Sequence, residues 1–68
     1  MLYEVVVLEK EKRDISGNVI EEERLVVPMT SMLRRNEQQV MIAIAAEHAD
    51  KLNACDPARL EVIIRPFG

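Results

Sequence analysis

His48 and Cys55 are the side chains best suited to proton transfer or nucleophilic attack near neutral pH, and each is the single residue of its type in the chain. Seven positions separate them, about two turns of helix, so a Cys–His dyad is conceivable. Nucleophilic catalysis also needs a group to orient the base and donors for a developing oxyanion, and the surrounding residues offer neither. At helical spacing His48 has Ile44 and Lys51 as neighbours, which give it no carboxylate or thiolate with which to share a metal. The plainer role for His48 is a satisfied ring at the edge of a core or of an oligomer interface. Cys55 follows a helix instead of opening one, where a thiolate would be stabilised, and no Cys-x-x-Cys is present. It reads as a small buried hydrophobe sealing a helix–strand junction, and a lone cysteine excludes an internal disulfide framework.

Two charged runs complete the chemical inventory. Arg34-Arg35 lies just before a helix start, where guanidiniums and free amides together can hold an anion. The approach lacks glycine, since Gly17 and Gly68 are the two in the chain, and no phosphate-binding loop fingerprint is present. Solvation, or pairing with acidic residues, is the competing role for these arginines. Glu21-Glu22-Glu23 sits on a strand, so alternation throws the middle carboxylate to the opposite face. That arrangement suits a solvated edge that resists edge-to-edge pairing better than it suits a cation. Met1, Met29, Met32 and Met41 suit an adaptable surface or core filling, the latter being commoner. The expectation is no catalytic residue, no metal and no cofactor, with Arg34 and Arg35 as the candidate anion site.

The elements that carry these residues follow from patterning. Leu2 to Lys10 is rich in β-branched residues and reads as a strand; Ser16-Gly17-Asn18 is a turn; Leu25-Val26-Val27 is the apolar part of a second strand that ends at Pro28. Equal arms place Leu8 opposite Leu25 or Val26 in a long antiparallel hairpin, with Lys10, Lys12 and Arg13 facing Glu21, Glu22 and Glu23 across a solvated distal half. Asn36 is an N-cap with Gln39 in the capping-box position, and the helix runs to about Asn53. Met41, Ile44, Ala45, His48, Ala49 and Leu52 share one helix face, opposite Gln39, Glu47, Asp50 and Asn53. Val40, Ile42 and Ala46 fall outside that stripe, so the first half of the helix is apolar nearly all round. Asp56-Pro57 breaks the chain, and Leu60 to Phe67 is the last strand, with Pro66 at its end. The predicted fold is α+β: a two-layer ββαβ domain spanning 1–68, a three-stranded sheet of order 2-1-3 with one helix packed on one face.

The strands are apolar on both faces although one helix is available to cover them. Val5 and Val7 oppose Leu2, Val6 and Leu8, while Leu60, Val62 and Ile64 oppose Ile63 and Phe67. Two aromatics, Tyr3 and Phe67, leave the core to aliphatic residues, each contributing roughly 1.5–3 kcal/mol when fully buried. At 68 residues such a core is marginal, and self-association relieves it. A net charge of −3 argues against nucleic acid as a partner. No apolar run approaches a membrane span and the first residues do not resemble a signal peptide, so a soluble, cytoplasmic protein is expected, with no membrane partner.

Tyr3-Glu4-Val5 in an opening strand, the charged hairpin, Glu37-Gln38-Gln39 at the start of an Ala-rich helix, and the closing Val62-Ile63-Ile64-Arg65-Pro66-Phe67 give a layout that resembles short, uncharacterised tailed-bacteriophage proteins. The resemblance spans the chain, implies no activity and no site residue, and points to a structural or host-interaction role in the host cytoplasm or the virion. The expected function is a non-enzymatic assembly protein acting as a homo-oligomer, a dimer or larger ring. Val5, Val7, Ile63 and Phe67 are the expected sheet interface, and Val40 and Ile42 the helix interface. The alternatives are a monomeric module that captures a strand of a host or virion protein on its sheet edge, and a small anion- or ligand-binding regulator.

Overall fold

The β-branched run at the start of the chain forms the central strand, and every other element is placed relative to it. In the computed structural model, which describes residues 1–67, β1 (Leu2–Glu9) is flanked by β4 (Arg24–Leu33) and β5 (Leu60–Pro66), both antiparallel to it. The sheet order is β4-β1-β5, which is the expected 2-1-3 arrangement of an α+β fold. β2 (Lys12–Arg13) and β3 (Val19–Glu21) pair in a separate two-stranded ribbon at the hairpin tip. The turn there is held by Asp14, whose Oδ1 accepts from the amides of Ser16 and Asn18, and by Gly17 at a φ of +88°, which favours glycine.

The second long strand does not stop at Pro28. β4 continues to Leu33, because Pro28 lies on an edge strand and within a bulge, where its missing N–H costs the ladder nothing. Val5 pairs with Thr30 but Val7 with Val27, so Pro28 and Met29 together oppose Val6; a second extra residue, Val26, lies between the Val7–Val27 and Leu8–Leu25 pairs. The two bulges break the simple alternation of β4, and the first of them brings Val27 and Met32 onto the same buried side. The facing charges of the hairpin do not pair as expected: Glu21 is bound by Arg59, and Arg13 by Glu11 in its own arm.

Asn36 caps α1 (Glu37–Glu47), its Oδ1 accepting from the Gln39 amide at 2.9 Å. The helix breaks at His48, and a short α2 (Ala49–Asn53) follows. His48 N still donates to Ile44 O and Leu52 N to His48 O, so the break keeps the hydrogen bonds on both sides. The face turned to the sheet is carried by Val40, Ala43, Ile44 and, beyond the break, Leu52. Met41 and Ile42 are exposed. Because the first half of α1 is apolar nearly all round, its own periodicity does not select a face; the shape of the sheet does.

The core lies between this face and one side of the sheet: Tyr3, Val5, Val7, Val27 and Met32 against Val40 and Ile44, with Val62 and Ile64 at its border. Val5, Val7 and Val40 are therefore interior residues, not members of an uncovered surface. Val5 pairs with Ile64 and Val7 with Val62, whereas Ile63 pairs with Val6 on the other face. No helix among the described residues is long and apolar enough to cross a membrane. The helix face is checked by truncation: Ile44→Ala is expected to cost about 2–5 kcal/mol in urea unfolding, and Ile42→Ala less than about 0.5 kcal/mol. Similar costs would contradict the face described.

Candidate functional site

Two surfaces remain once the core is assigned, a polar cleft at one end of the sheet and the uncovered sheet face. The cleft is built on Glu9, which shares the parity of Tyr3, Val5 and Val7 and so points to the covered side, 7 % exposed. Its Oε1 accepts from Arg24 Nε at 3.0 Å, and its Oε2 accepts from the Asp56 amide at 2.8 Å. Arg59 Nη2 stands 3.6 Å from the same Oε2. Arg59 also donates to Glu21 Oε2 at 2.8 Å, to Asp56 Oδ2 at 3.4 Å and to the Lys10 carbonyl at 3.3 Å. Asp56 caps the 3-10 turn Pro57–Arg59 by accepting from the Ala58 amide, and Pro57 supplies the fixed φ of its first position. The local sequence Asp56-Pro57-Ala58-Arg59 thus aims both an amide and a guanidinium at Glu9.

The Asp56 amide is the strongest influence on the Glu9 carboxyl and holds it below its ordinary value of 4.5; burial acts against this, and Arg59 and Arg24 act with it. A general base near neutrality requires the opposite shift. Glu9, bound by donors from two distant segments, instead clamps β1, the start of β4 and the helix–strand junction together. Beside it opens a cleft of about 620 Å³ walled by Glu21, Glu22, Cys55 and both arginines.

Cys55 is buried at this junction, as expected for a sealing residue. Its thiol donates to Lys51 O at 3.2 Å, and Arg24 Nη2 lies 3.4 Å from the sulfur; no hydrogen bond joins it to His48. His48 is half-buried at the helix break. Arg34 and Arg35 are not brought together over the helix N-terminus: Arg34 donates to the Leu33 carbonyl and lies 3.9 Å from Glu47, near the far end of α1, while Arg35 is exposed. Of the three consecutive glutamates, Glu21 belongs to the Arg59 network and Glu22 to the cleft wall. Among the described residues no three His, Cys, Asp or Glu side chains converge where a metal ion could sit.

The uncovered face carries the other parity of each strand. Register places Leu33, Leu2 and Phe67 in one row, Ser31, Glu4 and Arg65 in the next, Met29, Val6 and Ile63 in the third, and Leu25, Leu8 and Glu61 in the last. Leu33 is 70 % exposed, Met29 68 % and Leu25 55 %. Ile63 and Phe67 therefore lie on this face together with Leu2, Val6 and Leu8, whereas Val5 and Val7 lie on the covered one. Ile42, 56 % exposed, lies on a separate surface of α1. Glu4, Val6, Met29, Ile63 and Arg65 surround a shallow hollow of about 70 Å³.

No family model, curated protein or solved structure matches this chain.

Sequence reasoning missed Glu9, Arg24, Asp56 and Arg59. The signal for Glu9 was its parity, since a strand face reading Tyr3, Val5, Val7 and then Glu9 carries a carboxylate into the core and demands donors. The partners are 15, 47 and 50 positions away and carry no local mark of the pairing. Because the folded Glu9 carboxyl ionises below its ordinary value, it contributes stability above about pH 4.5, and that contribution is lost as the pH falls through the depressed value. Glu9→Gln is expected to melt below the wild type at about pH 7, with the gap closing as the pH falls below 4.5 and through the depressed value. A gap that stays constant across that range would remove the carboxylate from the account.

Proposed function

We propose that this protein is a small non-enzymatic assembly module that works as a homo-oligomer, joining copies through the uncovered face of its sheet. The observation that carries this reading is the apolar surface of Leu2, Val6, Leu8, Leu25, Met29, Leu33, Ile63 and Phe67, over which no layer lies among the described residues. Surfaces of this kind mark sites of association. The small core adds a reason for a second copy of the same chain instead of an occasional partner. Among the described residues five side chains are fully buried, all aliphatic, so a permanent second layer supplies burial that the chain by itself lacks. The resemblance to short tailed-bacteriophage proteins agrees with a structural role.

Light scattering on a sizing column, over a wide dilution range, tests this. The wild type is expected at a discrete multiple of 7.8 kDa that persists on dilution. Val6→Asp and Ile63→Asp, each at the centre of the face, are expected to shift the mass toward that of one chain, whereas Ile42→Asp on the outer side of α1 leaves it unchanged. A wild type that runs as a single chain at every concentration would overturn the reading and turn attention to the sheet edges. So would a mass insensitive to both central substitutions.

A further inference from the structure

The rows of the uncovered face place one pair of opposite charges among its apolar residues. Glu4 and Arg65 are direct cross-strand partners, set between the Leu2–Phe67 pairing and the Val6–Ile63 pair. Such neighbours have Cβ atoms about 4.5–5.5 Å apart, close enough for opposite charges to attract. Yet among the described residues neither side chain makes an ion pair or a hydrogen bond, while Arg59 on the other side of the sheet engages three carboxylates. An apolar cover, whether a lipid surface or a hydrophobic helix, would bury both charges unpaired. The face is matched by a partner that presents an acid and a base in the same row with the order reversed.

A second copy of this chain does so. Resting on the self-association proposed above, we infer that two copies close face to face about a two-fold axis lying between β1 and β5 and parallel to the strands, with Glu4 of each copy paired to Arg65 of the other. Rotation about that axis carries β5 over β1. It sets Ile63 of one copy on Val6 of the other and Phe67 on Leu2, and it forms the Glu4–Arg65 pair twice, as an isologous contact requires. Stacked sheets stand about 10 Å apart with strands within about 30° of alignment, a gap that a glutamate and an arginine reaching toward each other can bridge. Leu25, Met29 and Leu33 on β4 flank the seam. Glu61, in the row beyond Val6–Ile63, is held by Lys10 at 3.7 Å and sits at the rim. The contact is closed, so the assembly is a dimer and not a ring or a filament.

Charge reversal in the full-length chain tests the pairing by sedimentation equilibrium at low and high salt. Glu4→Arg places like charges opposite one another in a homodimer, and so does Arg65→Glu. Each single variant is expected to dimerise at least about tenfold more weakly than the wild type. An equimolar mixture of the two restores dimers, because a copy with two bases in this row then faces a copy with two acids, and both pairs are again of opposite charge. The double variant Glu4→Arg/Arg65→Glu is expected to dimerise like the wild type, which keeps the test decisive if a single variant folds poorly. Singles that dimerise normally, or a mixture and double variant that both stay monomeric, would overturn the pairing. If Val6→Asp dissociates the assembly while Glu4→Arg is silent, the face is an interface but this axis is wrong. A wild-type monomer would remove both inferences.

Discussion

The contact between α1 and one face of β1 is the interaction on which the rest of this fold depends. Val40 and Ile44 meet Tyr3, Val5 and Val7, and this is where nearly all the complete burial in the chain occurs. Both flanking strands are positioned by their pairing to β1, so the central strand transmits the helix contact to the whole sheet. One helix about 16 Å long covers little more than the central strand and its immediate neighbours. Among the described residues α1 and α2 both lie on the covered side, and the other side of the sheet is left bare.

The same strand face that builds the core ends on Glu9, and there the chain changes from apolar packing to charge. A carboxylate at that depth is tolerated because the hairpin returns Arg24 to it and the helix–strand junction returns Arg59 and the Asp56 amide. Desolvation disfavours the ionised carboxyl, and the amide and the two guanidiniums outweigh it. Since Arg24 and Arg59 remain charged wherever the protein is folded, the clamp switches with Glu9 alone. It ties three distant segments together at one end of the sheet. Its chemistry is that of a fastening.

The uncovered face and the core are two readings of one fact, that all three strands are apolar on both sides. A chain of this size gains little by exposing Leu25, Met29 and Leu33, so their exposure in a single copy directs attention to what lies outside it. Glu4 and Arg65 give that face a polarity that an undirected greasy surface would lack. Buried charge pairs attract weakly once desolvation is counted, and their value lies in excluding wrong partners and wrong registers.

Patterning by itself determined the central and flanking strands, the main helix, their order, the sheet arrangement and the Asn36 cap, and it narrowed the partner of Leu8 to Leu25 or Val26, because these follow from side-chain periodicity, turn chemistry and equal hairpin arms, all local in sequence. It also revealed that the strands have two apolar faces. It did not reveal which face is covered, since Val5, Val6 and Val7 are chemically alike and differ only in parity. Nor did it reveal that β4 passes through Pro28, because a bulge is legible only against the partner strand. The helix face was decided by the sheet, as α1 offers apolar residues on nearly every side. The Glu9 clamp was decided by topology: its four residues are far apart along the chain and meet only when the hairpin and the junction fold onto the same end of β1. Local rules place residues on faces; only three-dimensional packing chooses among faces that are equally apolar.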